Sequence, residues 1–257
     1  MRATPCFFLI GLLLAGPLAA DPIFPNSVVS NDIDFIRSDD RTMYGCARYR
    51  SVDEREMPDK RGGDLFGRAH VIALAFRDGT DVDLWISTAL GKGEAISYAE
   101  KLGPALGRLP TLMRREIGHV VVHEGDETAF EERDGGFFVM YSRNIDKRLS
   151  TRDLEETIFH ESMHVALQNE FLPTRAWRRA TTVDDDFITE YAATDEGEDF
   201  AESGLFAYTF LRHPERLPPS VRNATAEIMG ARLAFFEKVF PTKGQEIVRV
   251  GDYVGCS

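Results

Sequence analysis

The run His160-Glu161-Ser162-Met163-His164 constrains this chain more than any other feature, because of the residues around it. Leu154, Ile158 and Val165 flank it on one side, and Phe159, Met163, Ala166 and Leu167 on the other. Apolar residues at this spacing predict a helix over residues 151–169, and a helix apolar on both flanks is buried. At 100° per residue the two histidines lie about 40° apart on one face, with Glu161 about 100° from His160. Two imidazoles and a carboxylate buried together need polar partners, and one shared metal ion supplies them at once. Zinc takes neutral imidazole nitrogens in a tetrahedral shell, and an open fourth position leaves room for a water that Glu161 can deprotonate. Ser150 is expected to cap the helix, with Asp153 three residues on, and Glu155 and Glu156 suit its first-turn dipole.

A third ligand must come from elsewhere, and the stretch from Tyr191 to Glu202 is best suited to give it. Glu198 and Glu202 stand one helical turn apart, so the first can bind metal while the second accepts a ring N–H from a ligand histidine and fixes its tautomer. Phe200, Ala201, Leu205 and Phe206 make this predicted helix, Glu196–Arg212, too apolar for a merely solvated carboxylate pair. His119 and His123 have the same four-residue spacing as the first pair. Three valines lie between them, which predicts a strand, and at about 3.3 Å per residue the two would stand roughly 13 Å apart. One metal cannot bridge that gap.

Around these segments the pattern is α+β, with strands early and helices late. Residues 71–76 and 82–86 read as a hairpin turning at Asp78-Gly79, and 120–122 and 137–141 as further strands. Residues 94–109 read as a helix in which Pro104 implies a kink or an early stop. Residues 220–240 read as one helix between Pro218-Pro219 and Pro241. Residues 21–65, rich in charge and turn formers, are expected to form an N-terminal wrap on a catalytic domain of residues 66–257. Asp184-Asp185-Asp186 reads as a solvated loop rather than a calcium site, and the sequon at Asn223 falls inside a predicted helix.

Ahead of this, Arg2 precedes the apolar run 6–15, and small residues follow at Ala19 and Ala20. The apolar stretch is shorter than the roughly 20 residues of a spanning helix, and Gly16 and Pro17 break it. Residues 1–20 are therefore expected to be a signal peptide cleaved after Ala20, which implies a secreted or periplasmic protein with no stable membrane insertion. The formal net charge is −12, and of 30 basic residues only Arg2 would be lost. The remaining 29 against 42 acidic residues leave −13, which disfavours nucleic acid as a partner. Cleavage also removes Cys6, leaving Cys46 and Cys256 as an even pair in an oxidising compartment, and a disulfide is expected.

In its motifs the chain resembles the zincin metallopeptidases typified by the catalytic domain of anthrax lethal factor. Those enzymes carry H-E-x-x-H, then a tyrosine seven residues before the first glutamate of an E-F-F-A-E segment. Here Tyr191 stands seven residues before Glu198 in Glu198-Asp199-Phe200-Ala201-Glu202. The resemblance implies that His160, His164 and Glu198 bind one zinc (Zn2+) per chain, that Glu161 is the general base, and that Tyr191 stabilises the oxyanion. Glu202 would support the ligands from behind. It further implies a zincin-like fold, with a small mixed sheet followed by the active-site helix and C-terminal helices. Strand 137–141 would be the edge that pairs with extended substrate, the alternative being simple sheet core, and the reaction would be hydrolysis of a peptide or protein substrate.

By element order the resemblance covers residues 65–240, and by motif it is specific over 150–212. Asp199 departs from the family's phenylalanine. A mature chain of 237 residues also has no room for that toxin's delivery and substrate-docking domains. Two alternatives stay open: a catalytically inactive zincin-fold binding protein, and a zinc hydrolase acting on a non-protein amide. Glu161 separates the first from an enzyme, since structural zinc has no use for a general base. The sequence specifies no oligomeric state.

Overall fold

Alternation along the strands divides their apolar residues between two faces of one sheet, and that division fixes where the helices lie. The computed structural model describes residues 22–241 and 243–256; the expected signal peptide, with Cys6, lies outside them. Six strands form one mixed sheet: β1 (Tyr44–Glu56), β2 (Phe66–Phe76), β3 (Asp81–Ser87), β4 (His119–His123), β5 (Phe130–Glu132) and β6 (Phe137–Tyr141). Their spatial order is β1-β2-β3-β4-β6-β5. The first three run antiparallel, β3, β4 and β6 run parallel, and β5 returns antiparallel on the far edge. The expected hairpin is β2–β3, with Leu74 opposite Val82. Its turn requires Gly79, whose φ is 89° and where a Cβ would collide with the backbone of Gly251.

Ile72, Leu74, Val82, Leu84, Ile86, Val120, Val122, Phe138 and Met140 point from one face into the main core. The helices cover that face. They are α1 (Lys92–Leu106), α2 (Thr111–Arg114), α3 (Ser142–Thr151), α4 (Leu154–Met163), α5 (Asn169–Phe171), α6 (Arg175–Asp184), α7 (Glu196–Arg212), α8 (Pro219–Ile228) and α9 (Gly230–Val239). The opposite face carries a smaller core of Met57, Ala69, Val121, Phe137, Val139 and Tyr141. Helix α1 stops two residues after Pro104, which cannot donate to the preceding turn. Among the described residues, no helix is long and apolar enough to cross a membrane.

Four departures from the sequence reading have local causes. Strand 137–141 is interior rather than an edge: all five of its residues are buried, and β4 and β5 flank it. Five consecutive apolar residues are the mark of a strand covered on both faces, and the exposed edge beside the helices is β5. Ser150 does not cap the helix that carries His160 and His164, because it belongs to α3 and its Oγ donates to the Lys147 carbonyl. Arg152, at φ 64°, ends α3, and Asp153 precedes α4, fastened by Arg148 at 2.6 Å. The C-terminal helix is two helices, broken at Met229, whose φ and ψ of −126° and 36° leave the helical region. Tyr44–Glu56, inside the expected wrap, is a long strand at the other edge of the sheet.

Cys46 on β1 is bonded to Cys256, their Cα atoms 6.0 Å apart, which fastens the C-terminal tail to the sheet. Asp184 is not a solvated acid. It accepts from the backbone N–H groups of Ala231 and Arg232 at 2.7 and 2.9 Å, and so caps α9. Asp199 is buried and takes Arg232 Nη2 at 2.9 Å, so the residue that departs from the family pattern has a partner on α9.

Candidate metal centre

Helices α4 and α7 pack against each other, and their facing sides carry the polar residues that the apolar flanks exclude elsewhere. On α4, His160 and His164 are one turn apart and buried, with ring centroids 4.9 Å from each other. After Met163 the helix widens into a single π turn over His164–Gln168, a rare element that clusters at functional sites. From α7, Glu198 enters between the two rings. Its Oε2 lies 3.1 Å from His160 Nε2 and 3.5 Å from His164 Nε2, and the two ring nitrogens are 3.2 Å apart.

The far nitrogen of each ring indicates which atoms point inward. His164 Nδ1 lies 2.6 Å from Gln168 Oε1, an amide oxygen that can only accept, so Nδ1 carries the proton and Nε2 offers its lone pair. His160 Nδ1 lies 3.1 Å from Glu202 Oε1, close but off the line of an ideal hydrogen bond, with the same effect. Two lone pairs and a carboxylate oxygen therefore converge. A tetrahedral shell with bonds of about 2.0–2.2 Å has edges of about 3.3–3.6 Å, which the three observed separations approach. His160, His164 and Glu198 can hold a metal ion.

The electrostatics agree. Burial disfavours a charged His160, but Glu198 and Glu202 outweigh it and raise its pKa to about 10. His164 is raised by the same contest, with Glu198 the main opponent of burial. Burial would raise Glu198, yet the two histidines hold it well below the usual carboxylate range. A positive charge is thus favoured where the three atoms meet, and a metal cation can supply it.

Glu161 is buried beside this point; its carbonyl accepts the His164 N–H, while its carboxylate makes no hydrogen bond among the described residues. Desolvation pushes its pKa up, against the pull of His160 and His164. That is the direction that moves a carboxylate toward general-base work near neutral pH. The ring of Tyr191 lies 6.2 Å from that of His160, close enough to Glu198 for its hydroxyl to feel that carboxylate's charge. Burial and the neighbouring carboxylates raise its pKa, so it remains a donor. Glu202 is fully buried behind His160. The structure therefore brings all six sequence-predicted residues, His160, Glu161, His164, Tyr191, Glu198 and Glu202, to one place.

His119 and His123 lie elsewhere, on β4. His119 is stacked between Trp85 at 3.5 Å and Phe137 at 4.2 Å, and burial drops its pKa to about 4. His123 Nε2 lies 3.1 Å from the Pro58 carbonyl. The sequence reading missed Gln168, although its i+4 spacing from His164 was visible. A Cβ at Gly197 would stand 2.7 Å from the Gln168 amide nitrogen, so a glycine opens the space that side chain needs against α7. It also missed Ser27, Val28 and Thr189, which surround Glu202 and carry no motif.

Compared with family models, curated proteins and solved structures, the chain matches none.

Proposed function

We propose that this chain is a zinc-dependent metallopeptidase of zincin type, secreted or periplasmic, that cleaves peptide bonds in a peptide or protein substrate. The observation that carries this reading is the triangle of His160 Nε2, His164 Nε2 and Glu198 Oε2, with edges of 3.1–3.5 Å, beside the unpartnered carboxylate of Glu161. Imidazole and carboxylate ligands in this number suit zinc and leave a fourth position for water or substrate. The disulfide fits an oxidising compartment.

Zinc at this site supplies a Lewis acid that polarises the scissile carbonyl and lowers the pKa of water. Glu161 takes one proton from the attacking water as the C–O bond forms. It then passes that proton to the amide nitrogen as the C–N bond breaks, so it ends the cycle as it began. Tyr191 donates its hydroxyl to the oxygen that gains charge in the tetrahedral intermediate. Its exposure of 40% leaves it open to solvent, as this role requires of a group that meets incoming substrate. β5 is the edge strand next to α4, and a sheet edge is where an extended peptide can add as a further strand.

Digestion of a peptide library by the zinc-loaded chain tests the reading. Wild type is expected to yield defined cleavages, and Glu161→Gln to retain zinc while turnover falls by about 10² to 10⁴. Cleavage by Glu161→Gln at the wild-type rate would contradict the mechanism. A zinc-loaded wild type that cleaves no peptide would contradict the function.

A further inference from the structure

Glu202 is a carboxylate with no exposed surface on an apolar helix, so its charge must be met by donors. Beyond His160, it has three. Thr189 Oγ1 donates to Oε2 at 2.9 Å. The other two come from the N-terminal segment, 174 and 175 positions earlier in the chain: Val28 N donates to Oε2 at 2.8 Å, and Ser27 Oγ to Oε1 at 2.5 Å. Ser27 Oγ also accepts from Val29 N, which turns its hydroxyl hydrogen toward Glu202.

The same segment holds the chain that carries Tyr191. Phe24 bridges to Thr189, and its carbonyl accepts from Glu190 N at 3.1 Å. Thr189 Oγ1 in turn accepts from Ala192 N while it donates to Glu202, so residues 189–192 are pinned from both sides. The segment has its own anchors. Phe24 and Phe35 pack on Phe206 of α7, with centroids at 5.9 and 5.1 Å, and the N–H groups of Phe35 and Ile36 donate to Glu156 of α4. It is therefore fastened to both helices that carry the metal ligands.

We propose that residues 24–36 form a positioning arm for the metal centre, in which Ser27 and Val28 set Glu202, Glu202 sets the His160 ring, and Phe24 sets the loop that presents Tyr191. The inference rests on the metal reading above. None of these arm residues touches the metal position. They act through Glu202 and Thr189, and Ser27 supplies the one donor that a substitution can remove without altering the backbone.

The test is the rate at which a chelator strips zinc from the folded full chain, together with the visible spectrum of its cobalt-substituted form. Ser27→Ala is expected to lose zinc about tenfold faster than wild type, in line with the loss of support behind a metal-binding histidine. Its cobalt bands are expected to shift. Ser27→Thr, which keeps the hydroxyl, is expected to restore both. Thr111→Ala is the control, because it removes a hydroxyl from another buried carboxylate, Asp78, at the same kind of bond; it is expected to leave rate and spectrum unchanged. Wild-type zinc retention and spectrum in Ser27→Ala would overturn the arm while leaving the metal site intact. An equal effect of Thr111→Ala would also overturn it, by showing that general loosening is enough. A wild-type chain that takes up no metal would overturn the metal reading and the arm together.

Discussion

Glu156 shows how far burial reshapes a side chain on α4. It is almost fully buried, and desolvation raises its pKa to about 9 from an ordinary value of 4.5, against the N–H groups of Phe35 and Ile36, which pull it down. A carboxyl raised in the folded state binds a proton that the unfolded chain releases. Its contribution to stability is therefore complete below about pH 4.5 and is lost as the pH climbs toward 9. Glu156→Gln keeps an oxygen for the two N–H donors and cannot ionise. Thermal unfolding should thus fall less steeply with rising pH in the variant than in wild type, and parallel curves would remove Glu156 as the source. Residue identities of this kind were unevenly legible. His160, Glu161 and His164 declare themselves by spacing, and Glu198 and Glu202 by their turn of separation on an apolar helix. Glu156 read only as a helix-dipole acid, because its partners lie 120 and 121 positions away.

At the scale of elements, Arg232 ties three helices together. It takes Asp199 of α7 at 2.9 Å and Asp184 of α6 at 3.2 Å, all three side chains being almost wholly buried. Arg232→Ala leaves two carboxylates without their cation. Denaturant unfolding is expected to show a loss of about 3–5 kcal/mol, and a loss under 1 kcal/mol would refute the network's role. The sequence presented Asp184 and Asp199 as a loop acid and a family mismatch; only the fold brings α9 to both. Strand β1 was hidden for a different reason. Six of its thirteen residues, among them Arg48, Arg50 and Asp53 to Glu56, are charged and none is fully buried, as suits an edge strand that resists pairing with other chains. Strand β5 has only three residues, too few for a period-2 signal. By contrast, α7 combines an apolar face with acidic residues in its first turn, and its observed bounds equal those read from the sequence.

Across the whole molecule, the Cys46–Cys256 bond joins residues 210 apart, so it closes nearly the entire described chain into one loop. The chain-entropy model gives such a loop roughly 5 kcal/mol. Unfolding in urea with and without reductant is expected to differ by several kcal/mol, and coincident curves would show that the bond adds no stability. The pairing was legible from cysteine arithmetic. The path of the tail was not, since it depends on contacts such as Val250 N with the Asp78 carbonyl. The layered sheet and helices ultimately serve to bring His160 and His164 of one helix against Glu198 of another. Elemental analysis of the purified chain reads that convergence directly. One zinc per chain is expected in wild type, with depletion in His160→Ala, His164→Ala and Glu198→Ala and retention in His119→Ala. Stoichiometric zinc in His164→Ala, or none in wild type, would contradict it.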